Sequence, residues 1–81
     1  MKIGFAPGAW RAWQKLPPNI QTRLEAKLTQ YARDPLRYAT KLTDPKIGQY
    51  RFRIGDYRIV FDLREDELMI LAVAHRKDIY R

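Results

Sequence analysis

The sequence contains no cysteine and only 1 histidine in 81 residues. The first absence removes disulfides and thiolate metal sites as sources of stability, and the second leaves almost no basis for a catalytic metal centre. No apolar run approaches the roughly 20 residues that a membrane-crossing helix requires, and the N-terminus has no apolar signal-peptide region. Acidic side chains are also scarce, with 9 Asp and Glu against 16 Lys and Arg, which leaves a net charge of +7. These absences set the expectation: one soluble, cytoplasmic domain over residues 1–81, with no metal, cofactor or membrane contact. Its core lies near the lower size limit for independent stability.

A charge of this size favours a polyanionic or acidic protein partner and says little about fold. Its distribution is more informative. Asp62, Glu65, Asp66 and Glu67 gather around one turn, so the preceding arginine-rich segment and the chain end remain positive.

Lys2 to Ala6 reads as a short strand with Ile3 and Phe5 on one side, broken by Pro7-Gly8. A short helix carrying Trp10, Trp13 and Leu16 follows. Spaced three apart beside a leucine, the two tryptophans are expected in the core rather than as a base-stacking pair. Pro18 to Arg33 is the strongest predicted helix, with Ile20, Leu24, Leu28 and Tyr31 in one apolar stripe and Asp34-Pro35 ending it. Leu36 to Gly48 shows no regular pattern.

From Gln49 to Asp62 the chain reads as a tight β-hairpin. Strand alternation puts Tyr50, Phe52 and Ile54 on one face and Arg51 and Arg53 on the other. Gly55-Asp56 suits a two-residue primed turn with Gly at the first central position. That register sets Ile54 opposite Tyr57, Arg53 opposite Arg58, and Phe52 opposite Ile59. Like charges directly opposite each other destabilise a sheet, so this pairing points to selection for holding an anion. A second tight turn at Glu65-Asp66 leads into a last strand. Uninterrupted alternation there predicts Leu68, Ile70, Ala72 and Ala74 on the core face, and Met69, Leu71, Val73 and His75 on the arginine face. The expected fold is α+β, a two-layer β-α-α-β-β-β arrangement. Its helical hairpin packs on one face of a mainly antiparallel four-stranded sheet.

Two motifs, Gly-x-Tyr-Arg-x-Arg-x-Gly-Asp-Tyr-Arg-Ile-Val-Phe at 48–61 and His-Arg-Lys-Asp-Ile-Tyr at 75–80, resemble the RelE/ParE superfamily of toxins from type II toxin–antitoxin systems. The resemblance spans essentially the whole chain. RelE-like members are endoribonucleases (mRNA interferases) that cut mRNA in the ribosomal A site and block translation, whereas ParE-like members poison DNA gyrase; a shared fold does not choose between them. In the RelE-like pattern, basic sheet residues and a C-terminal tyrosine form the site, which implies Arg51, Arg53, Arg58, Arg76 and Tyr80 here. That match favours the ribonuclease branch. Lys41, Lys46, Lys77 and Arg81 are expected to touch RNA. The resemblance also implies an acidic antitoxin as partner in a heteromeric complex, with mRNA and the ribosome as targets. The alternatives are a ParE-like gyrase inhibitor or a degenerate toxin that only binds its antitoxin. Two departures stand out: both first-strand positions are arginine where lysine is common, and the C-terminal helix that some members carry is not expected.

In the chemistry implied, the RNA 2′-hydroxyl attacks the adjacent phosphate and the 5′-oxygen leaves. Arginines would stabilise the added negative charge, usually the largest catalytic term, but serve poorly as proton acceptors. Tyr80 is assigned to base stacking rather than proton transfer. His75 is a candidate acid or base because histidine alone among side chains ordinarily ionises near neutrality; a strand-end histidine satisfied by the backbone is the equal alternative. Arg64 is expected to be neutralised by Glu67 across the second turn.

Overall fold

Prolines set the first boundaries. In the computed structural model, which describes residues 1–44 and 46–79, strand β1 (Lys2–Phe5) gives way to helix α1 (Pro7–Gln14). Helix α2 (Pro18–Tyr31) likewise opens on a proline, whose missing N–H falls where no intrahelical acceptor exists. The corner between the helices is closed by the Gln21 side-chain amide, which donates to the Trp13 carbonyl at 2.8 Å. That carbonyl lies in the last turn of α1 and also accepts the Leu16 N–H at 3.0 Å. The α2 stripe covers the sheet as expected: Leu24 and Leu28 are buried, with Ile20 and Tyr31 packed against the same cluster. Trp13 is buried and touches Phe5, but Trp10 remains 47% exposed, so only one of the two tryptophans is core.

The remaining elements are α3 (Pro35–Tyr38), β2 (Thr40–Lys41), β3 (Tyr50–Ile54), β4 (Tyr57–Arg64), β5 (Glu67–His75) and α4 (Arg76–Ile79). The strands form one sheet in the order β1-β5-β4-β3-β2, antiparallel except for β1 against β5. The α+β layout matches expectation, with five strands instead of four. The additional strand, β2, pairs Thr40 with Arg51 and Lys41 with Tyr50 along the free edge of β3. Two residues are too few to show periodicity, and this pairing exists because an open edge offers unsatisfied backbone groups. The single turns α3 and α4 were likewise not expected.

Five side chains, Phe52, Phe61, Ile59, Leu68 and Ile70, are completely buried between sheet and helices. The Phe52 and Phe61 rings stack at 4.2 Å and Tyr31 meets Phe52 edge-on at 5.2 Å. Burying each such side chain stabilises the fold by roughly 1.5–3 kcal/mol before conformational entropy is counted.

Both predicted turns are present. Ile54 faces Tyr57, Arg53 faces Arg58, and Phe52 faces Ile59, around Gly55 at φ 58°. At the second turn Arg64 faces Glu67, and Glu65 takes φ 55°, a region that glycine enters far more easily.

The last strand departs from expectation. Phe61 pairs with Ile70 but Val60 pairs with Ala72, so Leu71 is an extra residue in β5. Such a bulge reverses the phase of everything beyond it. Ala72 and Ala74 therefore turn to the arginine face, opposite Val60 and Arg58, while Val73 joins the core and His75 pairs with Tyr57 on the helix side.

Candidate functional site

The arginine face is built by strand alternation next to a two-residue turn. On β3, Phe52 and Ile54 are drawn into the core, which forces the half-buried Arg51 and exposed Arg53 outward. On β4, Ile59 does the same for Arg58. Arg58 is not a solvated side chain, however: it is only 3% exposed, the sole charged residue among the buried residues of the described chain. Its side chain curls over the hairpin tip, where Nη1 donates to the carbonyls of Gly55 and Tyr57 at 3.4 and 3.3 Å. Both are long hydrogen bonds. The Nε atoms of Arg58 and Arg51 are buried without any partner.

Among the described residues, no carboxylate pairs with Arg51, Arg53 or Arg58. A buried cation with under-used donors and two cationic neighbours is costly unless a ligand compensates it. A phosphate oxygen supplies both the charge and the acceptors. The β5 bulge contributes by placing Ala74, rather than a larger side chain, beside Arg58. Arg76 lies at the same end of the sheet. Its backbone N–H donates to the Asp56 carbonyl at 2.6 Å, and its Nε lies 3.6 Å from Asp56 Oδ1.

The other end of this face has a different chemistry. Gly48 (φ 154°) sits so close over β4 that a Cβ there would come within 2.6 Å of Val60 Cγ1 and 3.1 Å of Leu71 Cδ1. Gln49 locks this approach: its N–H donates to Asp62 Oδ1 at 2.8 Å, and its Oε1 accepts the Leu63 N–H at 2.9 Å. Asp62, rather than the expected Glu67, is the acid that pairs with Arg64, at 3.6 Å. The outer face is thus covered at its centre, acidic at one end and open to anions at the hairpin tip.

The remaining candidates are scattered. His75 is on the helix face, its ring edge-on to Tyr57 at 5.4 Å, and its Nδ1 accepts the Lys77 N–H at 3.3 Å. The expectation that it shares the arginine face is overturned by the bulge. Lys41 pairs with Tyr50 on the edge strand, in register with the helix face. Lys46 is exposed in the loop that precedes Gly48, and Lys77 is exposed on α4. Tyr80 and Arg81 lie outside the described residues. The sequence reading missed Ala74, the Gln49–Asp62 clamp and the Asp56–Arg76 pair. Only the first had a signal: in Ala72-Val73-Ala74 the large apolar residue falls on the opposite phase from Leu68 and Ile70.

Comparison with known proteins places this arrangement. Residues 3–80 match the family described as ParE toxin of type II toxin-antitoxin system, parDE. The toxin RelG of Mycobacterium tuberculosis is 34% identical over 82 residues, spanning 98% of this chain and 94% of that protein. The toxin RelE3 of Methanocaldococcus jannaschii is 30% identical, spanning 99% of this chain and 96% of its own length. Among solved structures, the toxin–antitoxin complex RelBE2 of Mycobacterium tuberculosis aligns with a TM-score of 0.78 at 29% identity, over 93% of this chain and 96% of the other. The isolated RelE toxin of Escherichia coli shares the fold, with a TM-score of 0.76 at 22% identity over 98% and 89% of the two chains. Matched along nearly its whole length by a toxin family and by toxins named for RelE, this chain belongs to the RelE/ParE superfamily of type II toxin–antitoxin toxins.

Proposed function

We propose that this toxin is an endoribonuclease that cleaves mRNA at the ribosome, binding the RNA phosphate on the arginine face at the hairpin tip. The observation that carries this reading is Arg58: buried, unpaired with any acid among the described residues, and directly opposite Arg53. A charge so placed has its natural counter-ion outside the chain. Arg58 and Arg53 would clamp the scissile phosphate, Arg51 would hold a neighbouring one, and Arg76 would close the site from the tip. In the reaction the ribose 2′-hydroxyl gives its proton to water as its oxygen bonds to phosphorus, the 5′-oxygen leaves and takes a proton from water, and a 2′,3′-cyclic phosphate remains. The guanidinium groups of Arg58, Arg53 and Arg76 stabilise the extra negative charge of the transition state. Tyr80 is proposed to stack on a base. His75 faces the other side of the sheet, so no proton transfer is assigned to it.

The partner is proposed to be a small acidic antitoxin whose flexible segment folds onto this domain and neutralises the basic face. The similar solved structure from Mycobacterium tuberculosis is a toxin–antitoxin complex. Co-purification from a two-gene expression test at moderate salt is expected. Failure of every neighbouring acidic product to suppress toxicity would count against it.

The matching family bears the ParE name, which favours a second reading as a gyrase inhibitor. Purified protein added to translating ribosomes with defined mRNA separates the two. Codon-positioned cuts are expected, ending in cyclic phosphate. Trapped gyrase–DNA cleavage complexes without mRNA cuts would overturn the ribonuclease reading, and neither product would leave a toxin that only binds its antitoxin.

A further inference from the structure

The end of β5 sends consecutive residues to different tasks. His75 closes the strand on the helix face, and Arg76 opens α4. The first N–H groups of a helix have no acceptor within it. Here the Arg76 N–H is taken by the Asp56 carbonyl at 2.6 Å, and the Lys77 N–H by His75 Nδ1 at 3.3 Å. The Asp56 carboxylate also reaches Arg76 Nε at 3.6 Å, so one turn residue holds both the backbone and the side chain of Arg76. His75 is itself oriented by the edge-on contact with Tyr57.

We propose that His75 is a positioning residue, which with Asp56 fixes the start of α4 so that Arg76 is presented to RNA bound on the arginine face. The inference rests on the reading of that face as the RNA site. It assigns His75 a role that needs only its Nδ1 lone pair and no contact with substrate. The charged and titratable groups around the imidazole are Arg23 from α2, Asp56 and Tyr57 from the hairpin, and Arg76 and Lys77 from α4.

The test uses a short single-stranded RNA with 2′-O-methyl riboses, which the chemistry cannot cut, and follows its affinity for the full chain. H75F keeps an aromatic ring against Tyr57 and removes only the nitrogens. It is expected to weaken binding about two- to tenfold, the worth of one hydrogen bond, and to speed exchange of the Lys77 amide. H75N restores an acceptor two residues before the amide it serves, in the manner of an Asx turn. It is expected to return affinity toward wild type. In R76A the anchor has nothing left to position, so H75F/R76A is expected to bind no more weakly than R76A alone. Multiplying effects in the double variant, H75N as weak as H75F, or an unchanged Lys77 exchange rate in H75F would each overturn the anchor. Wild-type protein that binds no RNA would overturn the underlying reading of the face, whereas binding that H75F leaves untouched overturns the anchor alone.

Discussion

On β4, Ile59 and Arg58 are neighbours that face opposite sides of the sheet, at 0% and 3% exposure. Ile59 is hidden by Phe52, Phe61, Leu68 and Ile70, every one of which gains from the same exclusion of water. Arg58 is hidden beside Arg53 and Arg51, where exclusion of water strengthens repulsion and leaves its Nε unpartnered. Equal burial therefore carries opposite signs on the two faces. One face stabilises the fold, and the other carries a local cost that a bound anion would offset.

That contrast is most easily broken at Phe52 or Phe61. Replacing either with alanine is expected to lower stability by roughly 3–5 kcal/mol in urea titrations, with cleavage lost only in step with the unfolded fraction. A loss below about 1 kcal/mol would mean that the helix face is not the principal core. Arg58→Met keeps an apolar stem of similar reach and removes the charge. Cleavage is expected to fall by about 10²–10³ in single-turnover assays. Melts of the same variant should show stability unchanged or raised by up to about 1 kcal/mol. Unfolding with full activity per folded molecule would move Arg58 from the site to the scaffold.

Gly48→Ala probes the covered centre of the outer face, where a Cβ would meet Val60 at 2.6 Å. Overpacking there is expected to destabilise by about 1–3 kcal/mol, partly relieved when Val60→Ala is added. Salt separates the two ends of this face. With two phosphates engaged, log K for single-stranded RNA should fall with log salt at a slope of about −1.4, and Arg51→Ala should flatten it by about 0.7. A slope near zero would exclude the hairpin tip as a phosphate site. The smallest effect concerns the two turns. Gly55 and Glu65 share nearly the same φ, 58° and 55°, but only the first is suited to it. Glu65→Gly is expected to raise stability by up to about 1 kcal/mol and Gly55→Ala to lower it by a similar amount, both read from thermal melts.

Much of the fold is legible in short stretches. Ile20, Leu24, Leu28 and Tyr31 define α2 by their spacing, Pro18 starts it, and Gly55-Asp56 pins the hairpin register that brings Arg53 and Arg58 together. In each case residues within a turn or two of one another decide the outcome. The candidate site was half legible. Alternation put Arg51, Arg53 and Arg58 on one face, but the same rule, carried through β5, placed His75 among them.

What the sequence alone determined about this protein is its local grammar: helix stripe, strand phase up to Ile70, both turns, and the cationic identity of one sheet face. Tertiary structure decided the rest. The bulge at Leu71 is a relation between two strands, Phe61 meeting Ile70 and Val60 meeting Ala72, which the phase of Ala72-Val73-Ala74 only hints at. Strand β2 forms because β3 leaves an edge open, and the burial of Arg58 depends on Ala74 from one strand and Arg53 from another. Periodicity records which way a side chain points relative to its own neighbours. Only the packing of distant segments sets what waits for it there.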